Sequence, residues 1–484
     1  MQSKFLIPSD FQVDEQDRFR SRYTHAVSLT LLSKKNIFDR KNAFTSTFLF
    51  YRDGISNCMK NVADSALLHG STEQAVYQKS VLANGIRVVT ESIPYVRSVS
   101  IGVWANVGSR DESEDRQGIS HFLEHMVFKG TKKRTVKDIA QSLESLGGYL
   151  NAFTTKEQTC FYARVLDEHL VQAIDVLSDI VQNGTFRKEE LEKEKLVVIE
   201  ELRNAADDPE DIIHDYFEKA LFPSHSLGFP IIGTEENVRS FRREDLHSHL
   251  EKHYVAPNIV VAAAGSVDHA KVVRLVSKSF NHIQAGRTCA KRTPSPRRAG
   301  TPTRREHSRP INQAHVCLGI AAYSIKHRNR YPLMVLNALL GEGMSSRLYQ
   351  TIRERHGLAY SVYSFVNLLS DAGVFGTYIG TDKKNIDRSI SLIHKEFDKL
   401  KSRLVSRAEL DRTKAQIKGT LTLGLENMSG RMMRLGSGEL YFENYTTVDS
   451  ILKKVDAVTP DAIMAVANDL FHEEGFSTVI IRPS

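Results

Sequence analysis

The stretch HFLEH places His121, Glu124 and His125 at i, i+3 and i+4. On a helix these positions share one face about a turn apart, so both imidazoles can reach one divalent ion. The carboxylate between them then stands beside a water on that ion. Zinc lowers the pKa of such a water towards ~7, and a neighbouring base takes its proton as the water attacks a carbonyl carbon. HxxEH is the reverse of the HExxH zinc motif. A catalytic ion also needs a third protein ligand and one open position. The later helical stretch EKEKLVVIEELR offers Glu201. Glu194 lies two turns earlier on the same face, where a carboxylate can bond a ligand histidine's other N–H and fix its tautomer.

The setting of HFLEH supports this chemistry. Ile119, Phe122, Leu123, Met126 and Val127 interleave with it, so the histidines belong to a partly buried edge, where polar groups need partners. HSHLEKHY offers a second His pair, His249 and His253 around Glu251. Its highly charged surroundings read as a solvated helix face.

The elements that must position these residues follow from periodicity. From Lys79, SVLANGIRVVTESI reads as strand, Asn84-Gly85 turn and strand, and SVSIGVWANVGS alternates as a strand should. A helix through ISHFLEHMVFKG ends near Gly130, and TVKDIAQSLESLGG stops at Gly147-Gly148. Strands YLNAFTT and QTCFYARVL precede the helices EHLVQAIDVLSDIVQN and KEELEKEKLVVIEELRNA.

The second half repeats the order. AHVCLGIAAY answers SVSIGVWANV, LAYSVYSFV and GVFGTYIG answer the next two strands, and NIDRSISLIHKEFDKL answers the helix after them. SRAELDRTKAQIKGTL answers RKEELEKEKLVVIEEL, with Leu191 matching Leu410 and Lys195 matching Lys414 at an offset of 219. A repeat of that length means duplicated domains rather than a solenoid. The same offset carries Glu194 and Glu201 onto Thr413 and Thr420, and RYPLMVLNALLGEG, the counterpart of HFLEH, has no histidine. One copy has the full set and the other lacks it, which favours chemistry over packing in the first.

A chain of 484 residues suits two domains or more. Its net charge of +7 is local: between Asn281 and Pro310 eight Lys or Arg face one acid, and the remainder is balanced. That Pro-, Ser- and Thr-rich stretch reads as a solvated linker, and confining the charge to it argues against nucleic-acid binding. No run approaches the ~18 apolar residues of a membrane span. Cys58, Cys160, Cys289 and Cys317 are scattered, with no CxxC pair, which suggests a reducing compartment. The organisation expected is an extension over 1–75, poorly structured or absent from the natural protein if translation starts at Met59, a metal-binding domain over 76–285, a basic linker over 286–310 and a second copy over 311–484. Asp10, Asp14, Glu15 and Asp17 argue against a mitochondrial presequence.

GISHFLEHMVFKGT, GGYLNAFTTKEQTCFYARV, EKEKLVVIEELRNAADDPED and SSRLYQTIRERHGLAYSV together resemble the pitrilysin-type inverzincin metallopeptidases, especially the β-subunit of mitochondrial processing peptidase and its bacterial relatives. The resemblance spans roughly 76–484. It implies an α+β class: two homologous two-layer α/β domains closing as a clamshell around a chamber, with one Zn2+ per chain in the N-terminal copy. It implies His121, His125 and Glu201 (rather than Glu200) as ligands, Glu124 as base and Glu194 behind the ligands. Peptide substrate is expected to add as a strand beside Asn151, Ala152 and Phe153. Arg353 and Tyr360, seven apart in IRERHGLAY, are expected to steady the substrate carbonyl from the second domain. Asp211 and Asp215 match positions that bind a substrate arginine. The activity implied is endopeptidase action on short or unfolded peptides. The alternative is an inactive scaffold subunit of the same fold. A homodimer in a bacterial cytoplasm is the expected setting, with an inactive homologue as partner or the mitochondrial matrix as alternatives.

Overall fold

The structure is a computed structural model that describes residues 75–286, 292–295 and 302–484. The extension with Met59, and residues 287–291 and 296–301 of the basic stretch, including Cys289, lie outside the described residues. The first half holds β1 (Val76–Val81), β2 (Arg87–Ser92), β3 (Ser98–Ala105), α1 (Ile119–Met126), α2 (Val136–Glu144), β4 (Tyr149–Thr154), β5 (Thr159–Leu166), α3 (Leu170–Gln182), α4 (Lys188–Asp207), α5 (Pro209–Leu221), α6 (Glu235–Ser240), α7 (Arg243–His253), β6 (Ile259–Gly265) and α8 (His269–Ser279). The second holds β7 (Arg304–Arg309), β8 (Ala314–Ala322), α9 (Arg330–Gly341), β9 (Ala359–Leu368), β10 (Gly373–Thr381), α10 (Ile386–Ser402), α11 (Arg407–Gly424), α12 (Met428–Phe442), α13 (Val448–Asp456), α14 (Pro460–Leu470) and β11 (Ser477–Pro483).

The duplication is visible in strand order. The first sheet runs β1-β2-β6-β3-β5-β4 and the second β7-β11-β8-β10-β9. In each, the strand opening the repeat pairs parallel with the strand closing it, and all later pairings are antiparallel. β7 is therefore the counterpart of β2, and β1 is an added edge strand. Within the stretch read as a solvated linker, Arg304–Arg309 is a strand paired along β11, its side chains mostly exposed. Arg292 is likewise engaged, its guanidinium donating to Asp111 at 2.8 and 2.9 Å.

Each half lends a helix to the other. Ile213, Phe217 and Leu221 of α5 pack on Cys317, Val374, Val479 and Ile481 of the second sheet. Met432 and Leu435 of α12 pack on Trp104, Cys160 and Val260 of the first. A Cβ at Gly436 would stand 2.1 Å from Trp104 Nε1, so glycine is what lets α12 approach. Arg431 pairs with Glu91 and Lys79 with Glu439, each at 2.7 Å, along the same seam.

Among the described residues, no helix is long and apolar enough to cross a membrane.

Candidate metal centre

Two helices bring the ligand candidates together. Ile119, Phe122, Leu123 and Met126 bury one side of α1 in the first core, which leaves His121, Glu124 and His125 at its margin. α4 crosses beside it, anchored by buried Leu191, Val198 and Ile199. Glu201 Oε2 then lies 3.5 Å from His125 Nε2 and 3.8 Å from His121 Nε2. One ligand atom from each of the three falls within 4.8 Å of the others. Bonds of about 2.0–2.1 Å in a tetrahedron put ligand atoms about 3.4 Å apart. Two imidazole nitrogens and a carboxylate oxygen at these separations fit a zinc ion that keeps a corner open.

Glu194, 4 % exposed, accepts from His125 Nδ1 at 2.8 Å. With Nδ1 donating to this carboxylate, the Nε2 lone pair is left for a metal. Burial by itself would lower the His125 pKa. The hydrogen bond to Glu194 and the charges of Glu201, Glu124 and Glu194 outweigh it and hold the ring above its usual value. Burial would raise Glu194, but His125 and Lys129, whose Nζ lies 2.7 Å away, hold it below the usual carboxylate range.

Glu124 accepts from Thr154 Oγ1 at 2.6 Å. Thr154 ends β4, and β4 ends the sheet; no strand among the described residues pairs with its outer edge. Asn151 on that strand is half-buried, its amide donating to the Tyr149 hydroxyl, while Ala152 and Phe153 are buried. A free edge thus leads directly to the candidate base.

Asp211 and Asp215 come to the site because α4 breaks at Pro209. The Asp208 carboxylate accepts from Glu210 N–H at 2.9 Å, and α5 restarts in a new direction. Both acids line a cleft together with His121, Ile231 and Ile232. Arg353 sits in a π-helical turn over Tyr349–Arg355 in the second half, its guanidinium stacked between the Tyr349 and Tyr360 rings at 4.8 and 4.7 Å. Tyr360 is 77 % exposed.

The second His pair corrects an expectation. His249 and His253 are buried on α7, their rings 4.6 Å apart, and His249 Nε2 lies 3.3 Å from the Ser120 hydroxyl. Burial pushes His253 down to about 4 and His249 well below its ordinary value. Both are neutral packing residues behind α1; the charges that suggested solvation occupy the helix's other face. Thr154 and Lys129 were not found from sequence. Lys129 had a signal, lying four residues after His125 just past the end of α1; Thr154 acts only through tertiary contact.

The sequence description "Insulinase (Peptidase family M16)" matches residues 87–235, and "Peptidase M16 inactive domain" matches 240–417. A Bacillus subtilis protein named "Uncharacterized zinc protease YmxG" is 41% identical over 83% of this chain and 97% of its own length. A Streptomyces coelicolor protein named as an uncharacterized zinc protease is 39% identical over 86% of this chain and 91% of its own. A protease structure from Helicobacter pylori aligns with TM-score 0.79 at 23% identity, covering 85% of this chain and all of that one. The chain belongs to peptidase family M16.

Proposed function

We propose that the chain is a zinc-dependent endopeptidase acting on short or unfolded peptides. The convergence of His121, His125 and Glu201 beside Glu124, at the end of a strand edge that is unpaired among the described residues, carries this reading. Zinc supplies a Lewis acid that polarises the scissile carbonyl and acidifies water. His121, His125 and Glu201 hold the ion, and Glu194 orients His125 through Nδ1. A peptide pairing with the edge at Asn151, Ala152 and Phe153 runs its backbone past Glu124. Glu124 accepts the water's proton and passes it to the leaving amine, with Thr154 holding one of its oxygens in place. Asp211 and Asp215, with isoleucines lining the same cleft, suit a substrate arginine: the acids pair its head and the isoleucines cover its stem. Arg353 and Tyr360, on the second half, stabilise charge on the carbonyl oxygen.

Both relatives described above are bacterial, and a cytoplasmic homodimer is the setting proposed; sedimentation reads the assembly directly. The activity is tested on a mixed peptide library. Cleavage that stops with 1,10-phenanthroline and returns with zinc is expected, enriched for arginine near the cut. Cleavage indifferent to the chelator would contradict the metal, and its absence under all metal conditions would return the inactive-scaffold alternative.

A further inference from the structure

Residues 110 to 112 grip three separate parts of the molecule in succession. The buried Arg110 guanidinium donates to both Asp371 oxygens, at 2.6 and 2.9 Å, reaching into the second half. It also donates to Glu157, which accepts from the Ser370 N–H and hydroxyl at 2.9 and 2.6 Å. Asp111 takes Arg292 from the segment between the halves. Glu112, buried, reaches α1: Gly118 N–H donates to its Oε2 at 2.7 Å and Ser120 N–H to its Oε1 at 2.9 Å.

That last grip matters because α1 has no cap of its own. Its N-cap is Gly118, at φ 91. A Cβ there would stand 2.5 Å from the Ile232 carbonyl oxygen, so neither serine nor aspartate fits. The first N–H groups of a helix lack intrahelical partners and carry the positive end of its dipole. Glu112 supplies from six residues upstream what an N-cap side chain supplies elsewhere. Ser120 directly precedes His121, so any movement of this first turn moves a ligand candidate.

We infer that Glu112 is a positioning residue for the metal centre, and that Arg110 on Asp371 ties this positioning to docking of the second half. The inference rests on the metal reading above. The first turn of α1 is thereby registered by a side chain whose neighbours hold the opposite half and the connecting segment. Alignment of His121, Glu124 and His125 then depends on the halves being closed.

Cobalt(II) in place of zinc gives a visible spectrum that reports ligand geometry without substrate. In Glu112→Gln an amide NH2 must face one of the two N–H donors. The expected result is an altered cobalt spectrum with kcat down by about 10²-fold and KM near the parent's, the cost of a misplacement of about 1 Å. Asp371→Asn, two contacts removed from α1, is expected to shift both readouts in the same direction by less. A Glu112→Gln protein with lowered thermal stability but the parent's spectrum and kcat overturns the inference, leaving an ordinary helix cap. If Glu112→Gln does not fold, Asp371→Asn decides, and a parent-like spectrum and kcat overturn it. A parent chain that takes up no cobalt overturns the metal reading itself and this inference with it.

Discussion

Glu124 touches Thr154, and Glu194 touches His125 and Lys129, so neighbouring carboxylates meet different partners. Glu124→Gln keeps the shape and the threonine contact but cannot take a proton. The expected outcome is a kcat lower by about 10²-fold or more with zinc still bound, measured on one purified sample. Glu194→Gln removes the charge that holds the His125 tautomer, and zinc affinity is expected to fall by about 10- to 100-fold in competitive titration. Unchanged affinity would make Glu194 a spectator. At this scale the sequence was most legible, because His121, Glu124 and His125 are linked by local helical geometry. Glu112 was not legible: its partners are backbone groups, which carry no side-chain signature.

Between residues and the whole stand the helices. α7 shows how a charge count misleads: Leu246, His249 and His253 form a buried stripe at i, i+3 and i+7, while Arg243, Glu244, Glu251 and Lys252 face out. That spacing was present in the sequence but outweighed by composition. It carries a pH consequence. His253, and His214 on α5, are pushed down to about 4 by burial. Above about 6.5 these rings are neutral folded or unfolded and cost nothing. Below it the unfolded chain binds protons that the folded chain does not, so stability is lost as pH falls from about 6.5 towards 4. His253→Leu is expected to flatten that part of the curve relative to the parent, as read from denaturant midpoints across pH. Equal slopes would show that the ring is not excluded from protonation. β7 teaches the complementary lesson: six residues, all polar or charged, form a strand because the duplicated sheet supplies the partner β11.

The molecule as a whole is fastened by exchange of α5 and α12, which no local pattern could reveal although the 219-residue repeat was plain. Phe217 is fully buried on the second sheet, and Phe217→Ala is expected to cost about 3–5 kcal/mol. Trp104, the chain's single tryptophan, lies on the opposite seam against α12 and reports docking there. If the halves are one cooperative unit, Phe217→Ala lowers the Trp104 fluorescence midpoint and the circular dichroism midpoint together. Separated midpoints would show halves that unfold independently. On the proposed function, α1 and α4 meet on one divalent ion per chain. The most direct test is elemental analysis of the parent and Glu201→Ala after identical dialysis. One zinc per parent chain and a large loss in the variant are expected; a parent without metal, or a variant that keeps it all, would contradict the shared ion.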